Sequence, residues 1–316
     1  GGGNTSLKDV SNNSLGKKIN IIYVKGSGKD MSIIDKEGFP ALELDNLVKL
    51  NKIKKMNDFQ MINFQKKYMI DTTFPNASIE TLLHAFLPHK YIDHTHSNAI
   101  LSLIDQPNDI KICKRIFKDE LGIVPYIMPG FDLSKKAYEI FKKNPKVKGL
   151  ILLKHGIFTF GDTAKQSYDR MIKYVSLAEK ELRKNINNYK IIKYKNNNIN
   201  ISNLSNLFRK YLSEITNDDY KRKIISYSNI TTFDQFFNKK FNSQIKGPVT
   251  PDHVIRIKHK PLFIDLTNIK NNSIEKFIQK NILKYRNDYL KYFNKNKNIN
   301  KNAKIHDPNP RLIIVN

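Results

Sequence analysis

Three histidines and one glutamate are the side chains in this sequence best suited to metal-assisted chemistry. His94 and His96 lie in Tyr91–His96, a run that predicts a β-strand. Side chains at positions i and i+2 of a strand point to the same face, so both imidazoles can reach one ion. His155 follows the apolar run GLILL and precedes a glycine, and we expect it to be the third ligand of a catalytic zinc site. The alternative is a half-exposed strand whose histidines face solvent.

A carboxylate precedes this strand in the sequence. Glu80 lies in Ser78–Leu87, which predicts a helix that Pro88 stops. Near three imidazoles, Glu80 could be a fourth metal ligand or a base that takes a proton from the substrate. The alternative is a glutamate favoured in the first turn by the helix dipole. His84 shares the helical face of Glu80 and is either a supporting residue behind the site or part of the core edge.

Two glycine-rich stretches predict an anion site. They are Gly1–Ser6 (GGGNTS) and Lys25–Gly28 (KGSG), and both offer backbone N–H groups beside hydroxyl or lysine side chains. Successive N–H groups of this kind bind phosphate. Neither stretch has the spacing of a Walker loop or of a dinucleotide-binding fingerprint. The alternative is a pair of tight turns that need positive φ angles.

The elements that must position these residues are predicted from apolar spacing. Ile19–Val24 and Gly149–Leu153 predict buried strands, and Leu42–Ile53 predicts a helix. Lys165–Lys184 predicts the clearest helix. Its expected apolar face consists of Tyr168, Met171, Ile172, Val175, Ala178 and Leu182.

The sequence becomes more basic and richer in asparagine after about residue 184. Asn185–Asn203 predicts a linker or a surface excursion. Beyond it, apolar spacing predicts three helices and a last strand, and a segment with glycine and two prolines predicts a rigid turn. They are Leu204–Ile215, Phe233–Phe241, Ile274–Phe293, the turn Gly247–His253 and the strand Arg311–Val315.

Composition limits the classes of partner. The formal net charge is +26, but the basic residues are almost all lysines and accompany abundant asparagine and isoleucine. Because all three have A/T-rich codons, a biased genome explains the charge and we expect no nucleic-acid partner. No apolar run approaches the roughly 18–20 residues of a membrane span, so we expect no membrane partner and a cytoplasmic protein. Cys113 is the only cysteine, which excludes an intrachain disulfide and a thiolate metal cluster.

The order of these motifs resembles the class II aldolase/adducin family. The closest likeness is to the aldolase half of bifunctional rhamnulose-1-phosphate aldolase/short-chain dehydrogenase proteins, carried by Ser78–Pro88, Pro129–Leu133, Phe158–Thr163 and Gly247–Arg256. The resemblance implies an α/β fold, a three-layer α/β/α sandwich with a mostly antiparallel central sheet. It also implies a catalytic domain at 1–184 and a mainly helical extension at 185–316.

The resemblance assigns roles to individual residues. It implies that His94, His96 and His155 bind zinc or another divalent metal and that Glu80 is a metal ligand or the catalytic acid/base. The residues that match its phosphate-binding loops are Asn4, Ser6, Ser27, Gly28 and Ser78, with Lys25 adjacent. The family usually forms homo-oligomers with active sites at subunit boundaries.

The activity that the resemblance implies is a zinc-dependent aldolase, a carbon–carbon lyase. Its substrate would be a ketose 1-phosphate such as rhamnulose 1-phosphate, cleaved to dihydroxyacetone phosphate and an aldehyde. The same metal site could serve a sugar-phosphate 4-epimerase or a dehydratase, and a non-catalytic adducin-like binding module is a further alternative. The sequence ends at Arg311–Asn316, where the dehydrogenase of the bifunctional proteins would begin, so either a dehydrogenase domain follows in a longer natural chain or the protein ends there.

Overall fold

A computed structural model describes residues 2–13, 15–185, 201–215, 220–221, 223–227, 247–299 and 303–315. The chain forms two compact units. The first consists of Gly1–Asn187 together with the short segment Val249–Asp252, and the second of Asn188–Pro248 and His253–Asn316. Every residue that the sequence predicts to take part in chemistry belongs to the first unit.

The first unit is built on a seven-stranded sheet. Its strands have the spatial order β3-β2-β1-β4-β7-β6-β5. Every neighbouring pair is antiparallel except β5 and β6, which confirms the mostly antiparallel sheet. The strands are β1 Asn4–Asn12, β2 Lys18–Val24, β3 Ala41–Glu43, β4 Tyr91–Thr95, β5 Leu121–Val124, β6 Gly149–Leu152 and β7 Gly156–Gly161.

Helices cover both faces of this sheet. Ile151 and Ile157 pack into one apolar cluster with residues of α4, α5 and α7, whereas Leu150 and Phe158 pack into another with residues of α3 and α6. Strands covered on both faces are apolar throughout, and all residues of β6 and β7 are buried. The helices are α1 Leu44–Lys49, α2 Asp58–Lys67, α3 Thr81–Phe86, α4 Asn98–Ile104, α5 Asp109–Phe117, α6 Phe131–Lys143 and α7 Ala164–Asn185.

The second unit is mainly helical. Its core joins Leu204 and Phe208 of α8 to Ile278, Ile282 and Tyr285 of α10. Its elements are α8 Ile201–Leu212, β8 Glu214–Ile215, β9 Tyr220–Lys221, β10 Leu262–Ile264, α10 Ile274–Asn296 and β11 Ile313–Val315, and α9 Pro251–Ile257 begins in the first unit. No helix in the described part of the chain is both long and apolar enough to span a membrane.

The structure differs in detail from two expectations about the elements. The rigid turn expected at Gly247–His253 contains the start of α9, because Pro251 has the fixed φ that suits the first helical position. On α7 four residues of the expected face contact the core: Met171 and Ala178 are buried, and Val175 and Leu182 pack against the same cluster. Tyr168 and Ile172 are exposed instead, and the buried Tyr174 was not part of the expected face.

The sequence also misplaces the start of one helix and misses one strand. The helix expected from Leu42 begins two residues later at Leu44, because Leu42 belongs to β3. The strand β1 was not expected at all, since the glycine-rich start indicated a turn. The expected helix at 233–241 and most of the expected linker at 185–203 lie outside the described residues.

Candidate active site

His94 lies in the middle of the sheet, on β4. In register it faces Asn4 of β1 on one side and Phe158 of β7 on the other. Its ring stacks on Phe158 with ring centroids 4.0 Å apart, and its Nδ1 is 2.9 Å from the carbonyl oxygen of Ile157. Because a carbonyl only accepts hydrogen bonds, Nδ1 must carry the proton. The lone pair of Nε2 is therefore free to bind a cation.

His155 occupies the tight turn between β6 and β7. Lys154 before it has a φ of 59°, and the amide of His155 donates back to Leu152. The next residue must be glycine, because a Cβ on Gly156 would lie 2.6 Å from the carbonyl oxygen of Thr95. This close approach brings the His155 ring to 5.1 Å from that of His94. The turn thus places the third histidine beside the pair on and after β4.

Glu80 immediately precedes α3 and is buried. Its Oε2 accepts a 2.7 Å hydrogen bond from Nδ2 of Asn4. Among the described residues its Oε1 has no hydrogen bond of acceptable geometry, although it lies 2.9 Å from Nε2 of His155 and 3.4 Å from Nε2 of His94. One carboxylate oxygen is therefore anchored, and the other faces the histidines without a satisfied partner.

The four side chains form a compact donor set. One ligand atom from each of Glu80, His94, His96 and His155 lies within 4.8 Å of all the others. The Nε2 atoms of His94 and His96 are 3.0 Å apart. Nδ1 of His96 lies 2.6 Å from a carboxylate oxygen of Asp252, to which it donates. With both Nδ1 atoms protonated, the two Nε2 lone pairs face each other, a repulsive arrangement that a cation between them would relieve. Nitrogen and carboxylate donors suit zinc, so the residues fit a divalent metal.

The charges of these groups favour cation binding. Burial lowers the pKa of His94 well below its usual value, although the nearby carboxylate of Glu80 opposes the shift. Burial alone would raise the pKa of Glu80, but His94, His155 and the amide of Asn4 hold it well below its usual range. At neutral pH the imidazole is therefore uncharged and the carboxylate ionised, the states in which both bind metal.

A buried hydrogen-bond chain supports Glu80 from behind. Oδ1 of Asn4 is 2.5 Å from Nε2 of His84, and Nδ1 of His84 is 2.7 Å from Oγ of Ser6. Burial lowers the pKa of His84 to about 3, so its ring is neutral. His84 is therefore a supporting residue and not a ligand. It fixes the Asn4 amide with the NH₂ group towards Glu80.

The predicted phosphate residues lie in two environments. The side chains of Asn4 and Ser6 are buried in the chain just described, and Nδ2 of Asn4 also lies 3.1 Å from Oγ of Ser78. In the second stretch Lys25 is buried, whereas Ser27 and Gly28 are exposed. Their phosphate contacts stay a prediction.

The second stretch lies next to the segment that leads to Glu80. Gly26 forms an antiparallel bridge with Ala77, and the amide of Ser27 donates to the carbonyl of Asn76. Burial lowers the pKa of Lys25, while Asp252, Asp30 and Glu80 oppose the shift. Lys25 is thus close enough to Glu80 for the carboxylate to affect its pKa.

Asp252 is a site residue that the sequence does not reveal. Its Oδ2 lies 2.6 Å from Nδ1 of His96. The two residues are 156 positions apart in the sequence, and an aspartate near the start of a helix has an ordinary role at the helix dipole. Only the return of Val249–Asp252 to the first unit brings the carboxylate to the histidine.

Comparison with protein families gives two adjoining matches. Residues 1–182 match the family model described as the Class II Aldolase and Adducin N-terminal domain. Residues 200–316 match the one described as Aldolase class II, second domain. The first match includes Glu80 and all three histidines, and the second includes Asp252.

Comparison with individual proteins finds one longer relative and several solved structures. The chain is 33% identical to the "Uncharacterized oxidoreductase YuxG" of Bacillus subtilis over all of its length, but spans only 46% of that protein. The N-terminal class II aldolase domain of a conserved protein from Thermoplasma acidophilum is 42% identical, with a TM-score of 0.55, over 58% of this chain and 84% of that one. L-fuculose-1-phosphate aldolase from Thermus thermophilus is 15% identical, with a TM-score of 0.37, over 58% of this chain and 83% of that one.

Proposed function

Because the chain belongs to the class II aldolase/adducin family, we propose that it is a zinc-dependent aldolase acting on a ketose 1-phosphate such as rhamnulose 1-phosphate. The products would be dihydroxyacetone phosphate and an aldehyde. The observation that carries the proposal is the cluster of three imidazoles and one carboxylate, buried except for the partly exposed His96, in which one carboxylate oxygen has no hydrogen-bond partner among the described residues and two Nε2 atoms lie 3.0 Å apart. A binding module without catalysis has no use for such a set.

In this proposal His94, His96 and His155 hold the metal through their Nε2 atoms. A bound divalent cation supplies Lewis acidity, which polarises a carbonyl and stabilises negative charge on oxygen by several kcal/mol. The burial of the cluster excludes bulk water and so strengthens these charge interactions.

Glu80 is the proposed acid/base. In the cleavage direction Glu80 would take the proton of the C4 hydroxyl as the C3–C4 bond breaks, leaving C4 as the aldehyde carbon and the electron pair on C3 of the dihydroxyacetone phosphate fragment. That fragment must then gain a proton at C3. Glu80 can carry this proton on Oε1, because Asn4 holds Oε2 and leaves Oε1 towards the centre.

The phosphate group is proposed to bind beside Lys25 and Ser78. The hydroxyl of Ser27, the amide of the exposed Gly28 and the ammonium group of Lys25 are suitable donors, and the bridge of Gly26 to Ala77 holds their loop next to Ser78. Asn4 and Ser6 complete the proposed set at the start of β1. An anionic substrate would also be attracted by the net charge of +26.

The proposal is tested on protein purified with zinc, by metal analysis and by an assay of dihydroxyacetone phosphate release from ketose 1-phosphates. His94→Ala and His96→Ala should each lose zinc and lower kcat/KM by roughly 1000-fold or more, because each removes a ligand. His306→Ala is the matched control, since this histidine is exposed in the second unit, and it should retain zinc and activity.

Retention of both zinc and activity in His94→Ala and His96→Ala would contradict the metal site. Product analysis separates the reactions that one such site could perform. Two fragments identify an aldolase, an isomer identifies a 4-epimerase, and loss of water identifies a dehydratase.

Larger-scale features are part of the same proposal. We take 1–184 as the catalytic domain and 185–316 as a mainly helical extension. The chain spans less than half of its Bacillus subtilis relative, whose name is that of an oxidoreductase, and we propose that a dehydrogenase domain accompanies this aldolase in a longer natural chain. Light scattering of the purified protein should give a multiple of 36.8 kDa, as a homo-oligomer requires.

A further inference from the structure

We propose that Asp252 is a positioning residue for the metal centre: it holds His96 in the tautomer and orientation in which Nε2 binds the ion. The inference rests on the proposed function, because it concerns support of the proposed zinc ligands. It adds a residue from the far end of the sequence to a centre whose ligands all lie before residue 156.

The contact itself specifies the state of the His96 ring. Oδ2 of Asp252 is 2.6 Å from Nδ1 of His96, and the two side chains are 29% and 12% exposed. The carboxylate oxygen accepts this hydrogen bond, so Nδ1 donates and Nε2 presents its lone pair. A carboxylate behind a metal-binding imidazole also raises the basicity of the nitrogen that binds the ion.

The three histidines differ in this support. The carbonyl oxygen of Ile157 fixes the ring of His94 from behind, whereas Nδ1 of His155 is buried without a hydrogen-bond partner among the described residues. His96 lies one residue beyond the end of β4, so the sheet does not hold its backbone on both sides as it holds that of His94. Asp252 supplies at His96 the constraint that the strand pairing supplies at His94.

Gly2 provides the space that Asp252 occupies. A Cβ on Gly2 would lie 2.0 Å and 2.2 Å from the two carboxylate oxygens of Asp252. Even an alanine there would displace the carboxylate from its present place. The residue at position 2 and the residue at position 252 therefore form one packing unit behind His96.

The segment that carries Asp252 is attached to the first unit. Val249–Asp252 belongs to that unit although the residues on either side of it belong to the second, and Thr250 within it is buried. Pro251 begins α9 with a fixed φ, which limits the directions in which the next side chain can point. The carboxylate is thus held by its backbone as well as by its hydrogen bond.

The test measures zinc affinity of the full chain by competition with a chromophoric chelator, a readout that does not depend on turnover. We expect Asp252→Ala to bind zinc roughly tenfold more weakly or worse, the usual effect of removing such a support. Asp252→Asn keeps an oxygen acceptor for Nδ1–H and should recover most of the affinity. Asp169→Ala, which removes an exposed carboxylate of α7, is the matched control and should bind as the wild type does.

A second variant separates positioning from general damage to the fold. Gly2→Ala should also weaken zinc binding, and adding it to Asp252→Ala should weaken binding no further, because both act through one carboxylate. The visible spectrum of the cobalt-substituted protein should change in both single variants. If circular dichroism shows that Asp252→Ala does not fold, Gly2→Ala alone tests the positioning role. A loss of zinc affinity of less than about tenfold in Gly2→Ala would then contradict it.

The outcomes are distinguishable from those of the proposed function. A wild-type chain that binds no zinc contradicts the metal centre and, with it, the role of Asp252. A wild-type chain that loses zinc in His94→Ala but changes less than tenfold in Asp252→Ala contradicts only the positioning role. Additive losses from Gly2→Ala and Asp252→Ala would also overturn it.

Discussion

The amide of Asn4 decides which oxygen of Glu80 is left for chemistry. Its Oδ1 faces His84, and its Nδ2 therefore faces Oε2 of Glu80 at 2.7 Å. An amide of the opposite orientation would set two oxygens against each other. The neutral ring of His84, hydrogen-bonded to the hydroxyl of Ser6, thus sets the orientation of the Asn4 amide. Through this amide it determines which oxygen of Glu80 is hydrogen-bonded.

Replacement of this amide tests the supporting chain. Asn4→Ala should lower the free energy of unfolding by about 1–3 kcal/mol, because a buried carboxylate oxygen and a buried imidazole nitrogen lose their partner. It should also lower kcat/KM, since Glu80 is free to turn. Chemical denaturation followed by circular dichroism and the dihydroxyacetone phosphate assay measure the two effects.

The control for this prediction is an exposed asparagine. Asn20→Ala removes an amide that contacts only Asp45 among the described hydrogen bonds, and should change stability by less than about 0.5 kcal/mol. Equal stability and activity of Asn4→Ala and Asn20→Ala would show that the chain behind Glu80 has no part in holding it.

At the scale of elements, β1 is the neighbouring strand that holds β4, and with it His94, in place. It pairs with β4 through Asn4 opposite His94. Gly3 makes this approach possible, because a Cβ there would lie 2.4 Å from the carbonyl oxygen of His94 and its φ is +92°. The glycine before β1 therefore serves the position of a proposed metal ligand as well as the turn.

Comparison of Gly3 with Gly16, which has a similar positive φ, separates the cost of backbone strain from the cost of the close contact with His94. Gly3→Ala should cost at least about 2 kcal/mol of unfolding free energy and weaken zinc binding, because both the strained φ and the clash must be relieved by moving β1 or β4. Gly16→Ala also has a positive φ, +73°, but no atom lies within 4 Å of the new Cβ. It should cost only about 1 kcal/mol and leave zinc affinity unchanged.

Denaturation curves and chelator competition on both variants check this prediction. Equal losses of stability in the two variants would assign the whole cost to backbone strain. The close approach of Gly3 to His94 would then have no energetic role.

The sequence predicts best those elements whose apolar residues follow a regular pattern. The strand β2 and the helices α7 and α10 lie within a few residues of their expected positions because their patterns are long and regular. The strand β1 was missed because its residues, NTSLKDVSN, are mostly polar and follow three glycines. It is a strand because it pairs with β2 on one side and β4 on the other. Such pairing is a tertiary constraint, so it need not leave a pattern in the local sequence.

At the scale of the whole molecule, the candidate site joins residues from widely separated parts of the sequence. His94 and His96 were recognisable together because the period of a strand links them, and His155 because a glycine follows an apolar run. Asn4 was predicted to bind phosphate, and its hydrogen bond to Glu80 could not be seen in the sequence. Asp252 could not be found either, since no short-range pattern connects it to His96.

A shortened chain tests this wider dependence. A chain of residues 1–187 keeps Glu80 and the three histidines but lacks Asp252. We expect it to bind zinc roughly tenfold more weakly than the full chain, and about as weakly as full-length Asp252→Ala, because both lack the same carboxylate. Chelator competition on the three proteins, with circular dichroism to confirm that the short chain is folded, measures this.

Wild-type zinc affinity in the shortened chain would show that the later part of the sequence contributes nothing to the centre. Affinity far below that of full-length Asp252→Ala would assign it a further contribution besides this one carboxylate.

The return of Val249–Asp252 to the first unit has a consequence for biosynthesis. On the ribosome the three imidazoles and Glu80 emerge about a hundred residues before the aspartate that supports one of them. In the proposed centre a nascent chain would therefore bind its ion weakly at first and more tightly only near the end of translation. A prematurely terminated chain would keep the four proposed ligands without the proposed support of His96.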